Sequence, residues 1–90
     1  MTAKELQAFL AAFDALPLGA FTGTAEGRRY MVCRENLANG KSQKLVAREL
    51  GGTDYISLNL YRLRFGARLK PCEMPAEKVI RFVLSLQSKE

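Results

Sequence analysis

The sequence predicts an α+β fold in which an N-terminal helix and a C-terminal helix flank an antiparallel sheet of four to five strands, over about residues 20–72. Apolar residues recur at helical spacing near both ends of the chain, and glycine-containing dipeptides divide its middle into segments of strand length. Ninety residues suffice for one hydrophobic core. We therefore expect a single domain, 1–90, with both helices on the same sheet face.

The first helix is predicted over roughly residues 3–15. Thr2 and Glu5 have the spacing of a capping box, in which the hydroxyl and the carboxylate each accept a backbone N–H at the helix start. Pro17 ends the helix because it cannot donate a backbone hydrogen bond. The apolar residues at spacings of three and four are Leu6, Phe9, Leu10, Phe13 and Leu16.

Glycine-containing turns organise the region between the helices. The stretch around Ala20–Thr24 is either a short strand or a loop. Asn39-Gly40 is typical of a two-residue hairpin turn, because both central positions of that turn need positive φ. Gly51-Gly52 is a second turn candidate and Phe65-Gly66 a third. These turns divide residues 28–72 into four segments, each about as long as a strand.

Two of these segments differ in how clearly they indicate a strand. Residues 54–61 alternate between apolar side chains and polar or aromatic ones, a period of two that is typical of a half-buried strand. Residues 41–50 have a composition that also suits a helix ending at Gly51. We favour a strand there because of the register that the turns would impose.

Two-residue turns at both dipeptides would place Leu45 opposite Arg34 on one side and opposite Leu58 on the other. Following these pairs sorts the side chains into two faces. One face receives Tyr30, Val32, Leu45, Ala47, Ile56, Leu58 and Leu60. The other receives Arg29, Met31, Cys33, Lys44, Val46, Arg48, Tyr55, Ser57, Asn59 and Tyr61. The apolar residues concentrate on the first face, as expected of a sheet covered by helices on one side.

The last element is a helix that follows Pro75, a residue suited to the first helical position. We expect this helix to run to about Gln87. Its apolar stripe comprises Val79, Ile80, Phe82, Val83, Leu84 and Leu86.

No motif in the chain indicates catalysis or a cofactor. The absence of histidine removes the most common general base and metal ligand. Gly40-Lys41-Ser42 resembles the end of a phosphate-binding loop, but Glu35 stands where that loop needs its first glycine. Cys72 has no histidine to activate it, and Glu73 and Glu77 are explained by their favourable position near a helix start. We expect no enzymatic activity, no cofactor and no metal site.

Positive charge is concentrated in the predicted sheet. Ten of the chain's 14 Lys and Arg residues lie between Arg28 and Lys70, against three acids, so this stretch carries +7 and the whole chain +5. A polyanion such as nucleic acid is therefore a candidate partner. No apolar run is long enough to span a membrane, and no signal peptide is recognisable. We expect a cytoplasmic location, where the two cysteines stay reduced, and no membrane partner.

The second sheet face combines aromatic rings with cations, as in proteins that stack the bases of single-stranded nucleic acid and hold its phosphates. The predicted site comprises Arg29, Lys44, Arg48, Tyr55, Asn59, Tyr61, Arg68 and Lys70. The last two join this face if the third hairpin turns at Phe65-Gly66. The hypothesis is a domain that binds single-stranded DNA or RNA with little sequence preference. The alternative is a protein-interaction or regulatory module, in which a homodimer formed through sheet faces or edges buries the same surface.

Overall fold

The computed structural model describes residues 2–89 and contains, within them, two α-helices and a six-stranded antiparallel sheet. The elements are α1 (Ala3–Asp14), β1 (Gly19–Ala25), β2 (Arg28–Leu37), β3 (Ser42–Glu49), β4 (Tyr55–Leu63), β5 (Gly66–Pro71), α2 (Ala76–Ser85) and β6 (Gln87–Lys89). The strands are ordered β5-β4-β3-β2-β1-β6 across the sheet. The predicted α+β fold is confirmed, with six strands in place of four to five.

The start of α1 has the capping box that the sequence predicts. The Thr2 N–H donates to Glu5 Oε1 at 3.0 Å, and the Glu5 N–H donates to Thr2 Oγ1 at 3.1 Å. The helix ends at Asp14, and its Phe9 and Phe13 side chains are fully buried in the core. Their rings stack with centroids 5.8 Å apart.

The turn between β2 and β3 also has the predicted backbone. Asn39 has φ 58° and ψ 36°, Gly40 has φ 85°, and the Lys41 N–H donates to the Ala38 carbonyl at 3.2 Å. Asparagine and glycine adopt positive φ at lower cost than other residues, so local chemistry accounts for these two positions, whereas Ala38 also has a positive φ, 51°, without that advantage. Leu45 lies opposite Arg34, as the turn requires.

The ambiguous segment 41–50 forms strand β3. Leu45 pairs with Leu58 of β4, in the register expected from a turn at Gly51-Gly52. The loop between β3 and β4 is longer than two residues. The last hydrogen bond between the two sides runs from the Glu49 N–H to the Asp54 carbonyl at 2.8 Å, so residues 50–53 form the loop. The predicted register is confirmed even though the loop is longer.

The third turn lies one residue earlier than the sequence predicts. Leu63 pairs with Gly66, so the two turn residues are Arg64 and Phe65. The shift does not change which residues share a face: Arg68 lies opposite Tyr61, as the face assignment required.

The C-terminal region departs further from the prediction. Pro75 is the N-cap of α2, not its first helical residue, and the helix ends at Ser85, two residues earlier than expected. The chain then pairs antiparallel with β1 as strand β6. Gly23 of β1 leaves room for this crossing, since a Cβ there would lie 2.8 Å from the Gln87 carbonyl oxygen and 2.9 Å from Leu86 Cδ1.

Both helices cover one face of the sheet and bury the apolar side chains that alternate along the strands. We call this the helix-covered face. All seven residues predicted for it are buried: Tyr30, Val32, Leu45, Ala47, Ile56, Leu58 and Leu60. Neither α1 nor α2, the α-helices of the described residues, is long and apolar enough to cross a membrane.

The opposite side of the sheet has neither α-helix packed against its centre, and its strand side chains are exposed or half-buried. We call it the open face. It includes Thr22, Thr24, Arg29, Met31, Cys33, Glu35, Lys44, Val46, Arg48, Tyr55, Ser57, Asn59, Tyr61, Arg68 and Lys70.

Candidate nucleic-acid interface

All eight residues of the predicted site lie on the open face. Pairing between β3, β4 and β5 brings seven of them together. The directly opposed residues are Arg48 with Tyr55, Lys44 with Asn59, Asn59 with Lys70, and Tyr61 with Arg68. Arg29 lies on β2, two residues before Met31, which pairs with Arg48. The alternation along each strand and the register between strands therefore place the set on one continuous surface.

Each tyrosine of the site stands directly across from an arginine. Tyr55 and Arg48 form one such pair near the start of β4, and Tyr61 and Arg68 form the other near its end. Six residues of extended chain separate the two tyrosines, a distance of about 20 Å. Tyr55 is 39% exposed and Tyr61 is half-buried. No described cation lies over either ring, so an arginine does not occupy the position that a base would take.

A polar row lies between the two tyrosine–arginine pairs. Lys44 on β3 and Lys70 on β5 are exposed on either side of Asn59, which is half-buried on β4. The Asn59 amide donates to Cys72 Sγ at 3.5 Å, which holds the amide against the chain that continues from β5. The two ammonium groups thus flank the midpoint of β4, between the rings.

The described ion pairs all lie on one side of the sheet. The ion pairs of the described residues are Arg28 with Glu49, Arg34 with Asp14, Arg62 with Asp14, Lys78 with Asp54, and Arg81 with Glu26. All five lie on the helix-covered side of the sheet. None involves the five open-face cations of the predicted site, which are exposed to solvent.

One acid, Glu35, stands among the strand residues that make up the open face. It lies opposite Lys44 in the register but forms no ion pair with it. The Cys33 thiol donates to Glu35 Oε1 at 3.7 Å. Burial, and then the nearby carboxylate, raise the pKa of the Cys33 thiol. The thiol therefore stays protonated at neutral pH and is a weak nucleophile.

The structure also contains a pocket that the sequence did not reveal, of about 470 Å³, between α2 and the end of the sheet. Asp54 accepts hydrogen bonds there from Lys78 Nζ at 2.7 Å and from the Tyr30 hydroxyl at 2.9 Å. The Lys78 bond lowers the pKa of Asp54, and burial raises the pKa of Tyr30. The basic residues that line the pocket, Lys78, Arg28 and Arg81, each have an acidic partner. The pocket therefore has no surplus positive charge to attract an anion.

Arg34 is a buried cation on the helix-covered face, only 6% exposed. Its Nη1 donates to the Leu16 carbonyl at 2.5 Å, its Nη2 lies 3.6 Å from Asp14 Oδ1, and its guanidinium carbon is 4.7 Å from the centre of the Phe13 ring. The register predicted from the turns already placed Arg34 opposite Leu45, on the core side. The sequence could not show that the end of α1 supplies its partners.

Within residues 2–89, no group of three or more His, Cys, Asp or Glu side chains is placed to hold a metal ion. That the chain uses no metal and no cofactor remains a prediction. Comparisons with protein-family models, with curated proteins and with solved structures find no match. The proposed function therefore rests on the geometry and charge of the molecule.

Proposed function

We propose that this chain is a small binding protein, without enzymatic activity, that holds single-stranded DNA or RNA on its open face with little sequence preference. The observation that carries the proposal is the segregation of charge between the two sides of the sheet. Five cations on the helix-covered side have carboxylate partners, whereas the five of the predicted site do not. Exposed cations without partners are available to the phosphates of a polyanion.

The arrangement of rings and cations suggests how the strand would bind. Tyr55 and Tyr61 would each stack a base, and the neighbouring basic side chains would contact phosphates. Stacking contributes about 1–3 kcal/mol per base and tolerates any sequence, because every base has a π-face. This division of roles supports weak sequence preference. A cytoplasmic location, where single-stranded nucleic acid and reduced cysteines coexist, is part of the proposal.

The shape of the open face favours single strands over duplex. Reading base edges in a duplex usually requires a helix or a two-stranded ribbon in the major groove. Here α1 and α2 both pack on the opposite side of the sheet. The exposed surface is a sheet, which suits unstacked bases, so duplex DNA should bind less tightly than a single strand of the same length.

Fluorescence anisotropy with a short labelled oligonucleotide, measured over a series of salt concentrations, tests the proposal. Single strands lose about 0.7 log units of affinity per phosphate contact for each tenfold rise in salt. Lys44→Ala and Arg48→Ala should each weaken binding and flatten that dependence. Tyr55→Ala and Tyr61→Ala should weaken binding without flattening it. Lys4→Ala, which removes an exposed cation of α1, is the matched control and should change neither.

The outcome that would contradict the proposal is specific. Absence of binding at about 50 mM salt and high micromolar protein would reject it, since electrostatic attraction is strongest at low salt. Equal loss of affinity in the α1 control and in the open-face variants would show that net charge, and not this face, governs binding.

A homodimer through the open face is the second candidate, favoured by the apolar centre of that face. Met31 is 44% exposed, and Val46 and Cys33 beside it are half-buried. The sheet edges are less suited to pairing, because β6 has three residues and β5 carries two cations and ends at Pro71. Light scattering at low micromolar concentration distinguishes dimer from monomer. Met31→Lys should dissociate a dimer formed in this way.

A further inference from the structure

The turn between β4 and β5 exposes a large aromatic side chain. Phe65 is 95% exposed at the tip of this hairpin, so it makes almost no contact with the rest of the protein. Leu63, which precedes the turn, is 54% exposed. An aromatic side chain buries a large apolar area when it finds a partner, so its near-complete exposure favours a role in binding over one in folding.

The charge of the hairpin indicates what kind of partner would cover the tip. Residues 55–72 contain Arg62, Arg64, Arg68 and Lys70 and no acid. Arg62 is paired with Asp14 on the helix-covered side, but the described ion pairs include none of the other three cations. An apolar ring near unpaired cations is complementary to a base within a phosphate chain, whereas a basic protein surface would be repelled.

Phe65 also follows the tyrosines of the candidate site along the chain. Tyr55, Tyr61 and Phe65 follow one another along β4 and its turn, at separations of six and four residues. The first separation is extended chain of about 20 Å, and the second, which ends in the turn, is at most about 13 Å. A nucleic-acid strand that runs along β4 and contacts Tyr61 would reach the hairpin tip next.

We infer that Phe65 is a third base-stacking residue, which extends the single-strand site from the open face to the tip of the β4–β5 hairpin. This inference rests on the proposed function, because it assigns a further contact to the same bound strand. It commits to single-stranded nucleic acid as the occupant of the tip. It also predicts that Phe65 contributes to affinity only when the strand is long enough to reach it.

Tryptophan fluorescence provides a direct test, because the chain contains no tryptophan. Phe65→Trp would place a single reporter at the tip, and its emission should be quenched when an oligonucleotide of about 12 nucleotides is added. Leu84→Trp, at a site on α2 that is 49% exposed, is the control and should not be quenched.

Affinity measurements complete the test. Phe65→Ala should weaken binding of the 12-nucleotide strand by about tenfold, with an unchanged salt dependence, because it removes stacking and no charge. A strand of about four nucleotides should be affected much less. The free energy of unfolding should not change, since the side chain has almost no contacts to lose. Phe65→Tyr should restore the affinity.

The possible results separate this inference from the proposed function. If the wild-type protein binds the oligonucleotide but Phe65→Ala binds equally well and the tip reporter is not quenched, the third stacking residue is rejected and the open-face site stands. If the wild-type protein binds no single strand, both are rejected.

Discussion

The two sides of the sheet use basic residues in opposite ways. On the helix-covered side, five Lys and Arg side chains each have a carboxylate partner, and Arg34 is almost fully buried. On the open face, the five cations of the candidate site are exposed and the described residues offer them no such partner. Burial accounts for the pairing of Arg34, because leaving that cation uncompensated away from water would be costly, whereas Arg28 and Arg81 are exposed and form surface ion pairs. A solvated cation has no such requirement and stays available to a ligand.

Because of this difference, the number of basic residues in the chain is larger than the number available to a ligand. The stretch between Arg28 and Lys70 carries +7 by count. Three of its ten cations, Arg28, Arg34 and Arg62, have carboxylate partners. The cations available to bind a polyanion are those without an ion-pair partner on the open face and at the hairpin tips. A count of charges along the sequence therefore overestimates the number of cations available to a ligand, because it does not show on which face each residue lies.

The largest expected effect concerns charge reversal on the open face. Lys44→Glu combined with Arg48→Glu removes two phosphate contacts and adds two repulsions, so affinity for a single-stranded oligonucleotide should fall about 100-fold at low salt. Anisotropy measures the loss, and the free energy of unfolding in urea should stay nearly constant. Lys4→Glu on α1 is the control. A loss below threefold in the double variant would contradict the assignment of function to this face.

On the helix-covered side, substitution is expected to change the stability of the protein. Asp54→Ala removes the carboxylate that accepts hydrogen bonds from both Lys78 and Tyr30. Because both donors lose their partner, the free energy of unfolding should fall by about 1–2 kcal/mol. Arg48→Ala on the open face should change it by less than about 0.5 kcal/mol. Urea denaturation measures both. Equal stability losses would mean that the two sets of cations do not differ as the ion pairs indicate.

The dependence of stability on pH sharpens this contrast. The pKa of Asp54 is lowered in the folded protein, first by its hydrogen bond to Lys78. Its contribution is therefore present above its unfolded pKa of about 3.9 and is lost as the pH falls through the lower folded value. Asp54→Asn should remove that part of the acid-induced loss, so its free energy of unfolding should fall less than that of the wild type as the pH is lowered. Urea denaturation at a series of acidic pH values tests it, and an unchanged acid dependence in Asp54→Asn would contradict it.

The smallest effect is expected at the acidic residue of the open face. Glu35→Gln removes a negative charge next to Lys44 and should strengthen single-strand binding by about two- to fivefold at low salt. Glu73→Gln, which removes an equal charge at an exposed position after β5, is the control and should have a smaller effect. Unchanged binding by Glu35→Gln would indicate that the strand does not approach this part of the sheet, and weaker binding would contradict the prediction.

Much of the candidate site could be predicted from the sequence because its determinants are local. The alternation along residues 54–61 has a period of two, and the turns at Asn39-Gly40 and near Gly51-Gly52 set the register of the neighbouring strands. A two-residue turn that moves by one position changes each pairing by two residues, so the faces are kept; only a loop longer or shorter by one residue would exchange them. The third turn lies at Arg64-Phe65 and not at Phe65-Gly66, so Arg68 pairs with a different residue but stays on the open face.

The pairing of the helix-covered side could not be predicted, because its partners are distant in sequence. Tyr30 and Lys78 meet at Asp54, which is 24 residues from each. Arg34 meets Asp14 because α1 ends above β2. The spacing of residues along the sequence does not indicate such contacts, because they depend on where each helix lies on the sheet.

The sequence by itself determined the capping box of α1, the hairpin turns, the register of β2, β3 and β4, and hence which side chains share the open face, because propensity and alternation act over a few residues. The tertiary structure alone decided the sixth strand. Residues 87–89 have no pattern typical of a strand, and they pair with β1 because α2 ends beside its free edge. Gly23, which has no side chain, lets them approach. The tertiary structure likewise decided which cations are neutralised, since ion pairing requires an acid to be brought close by packing.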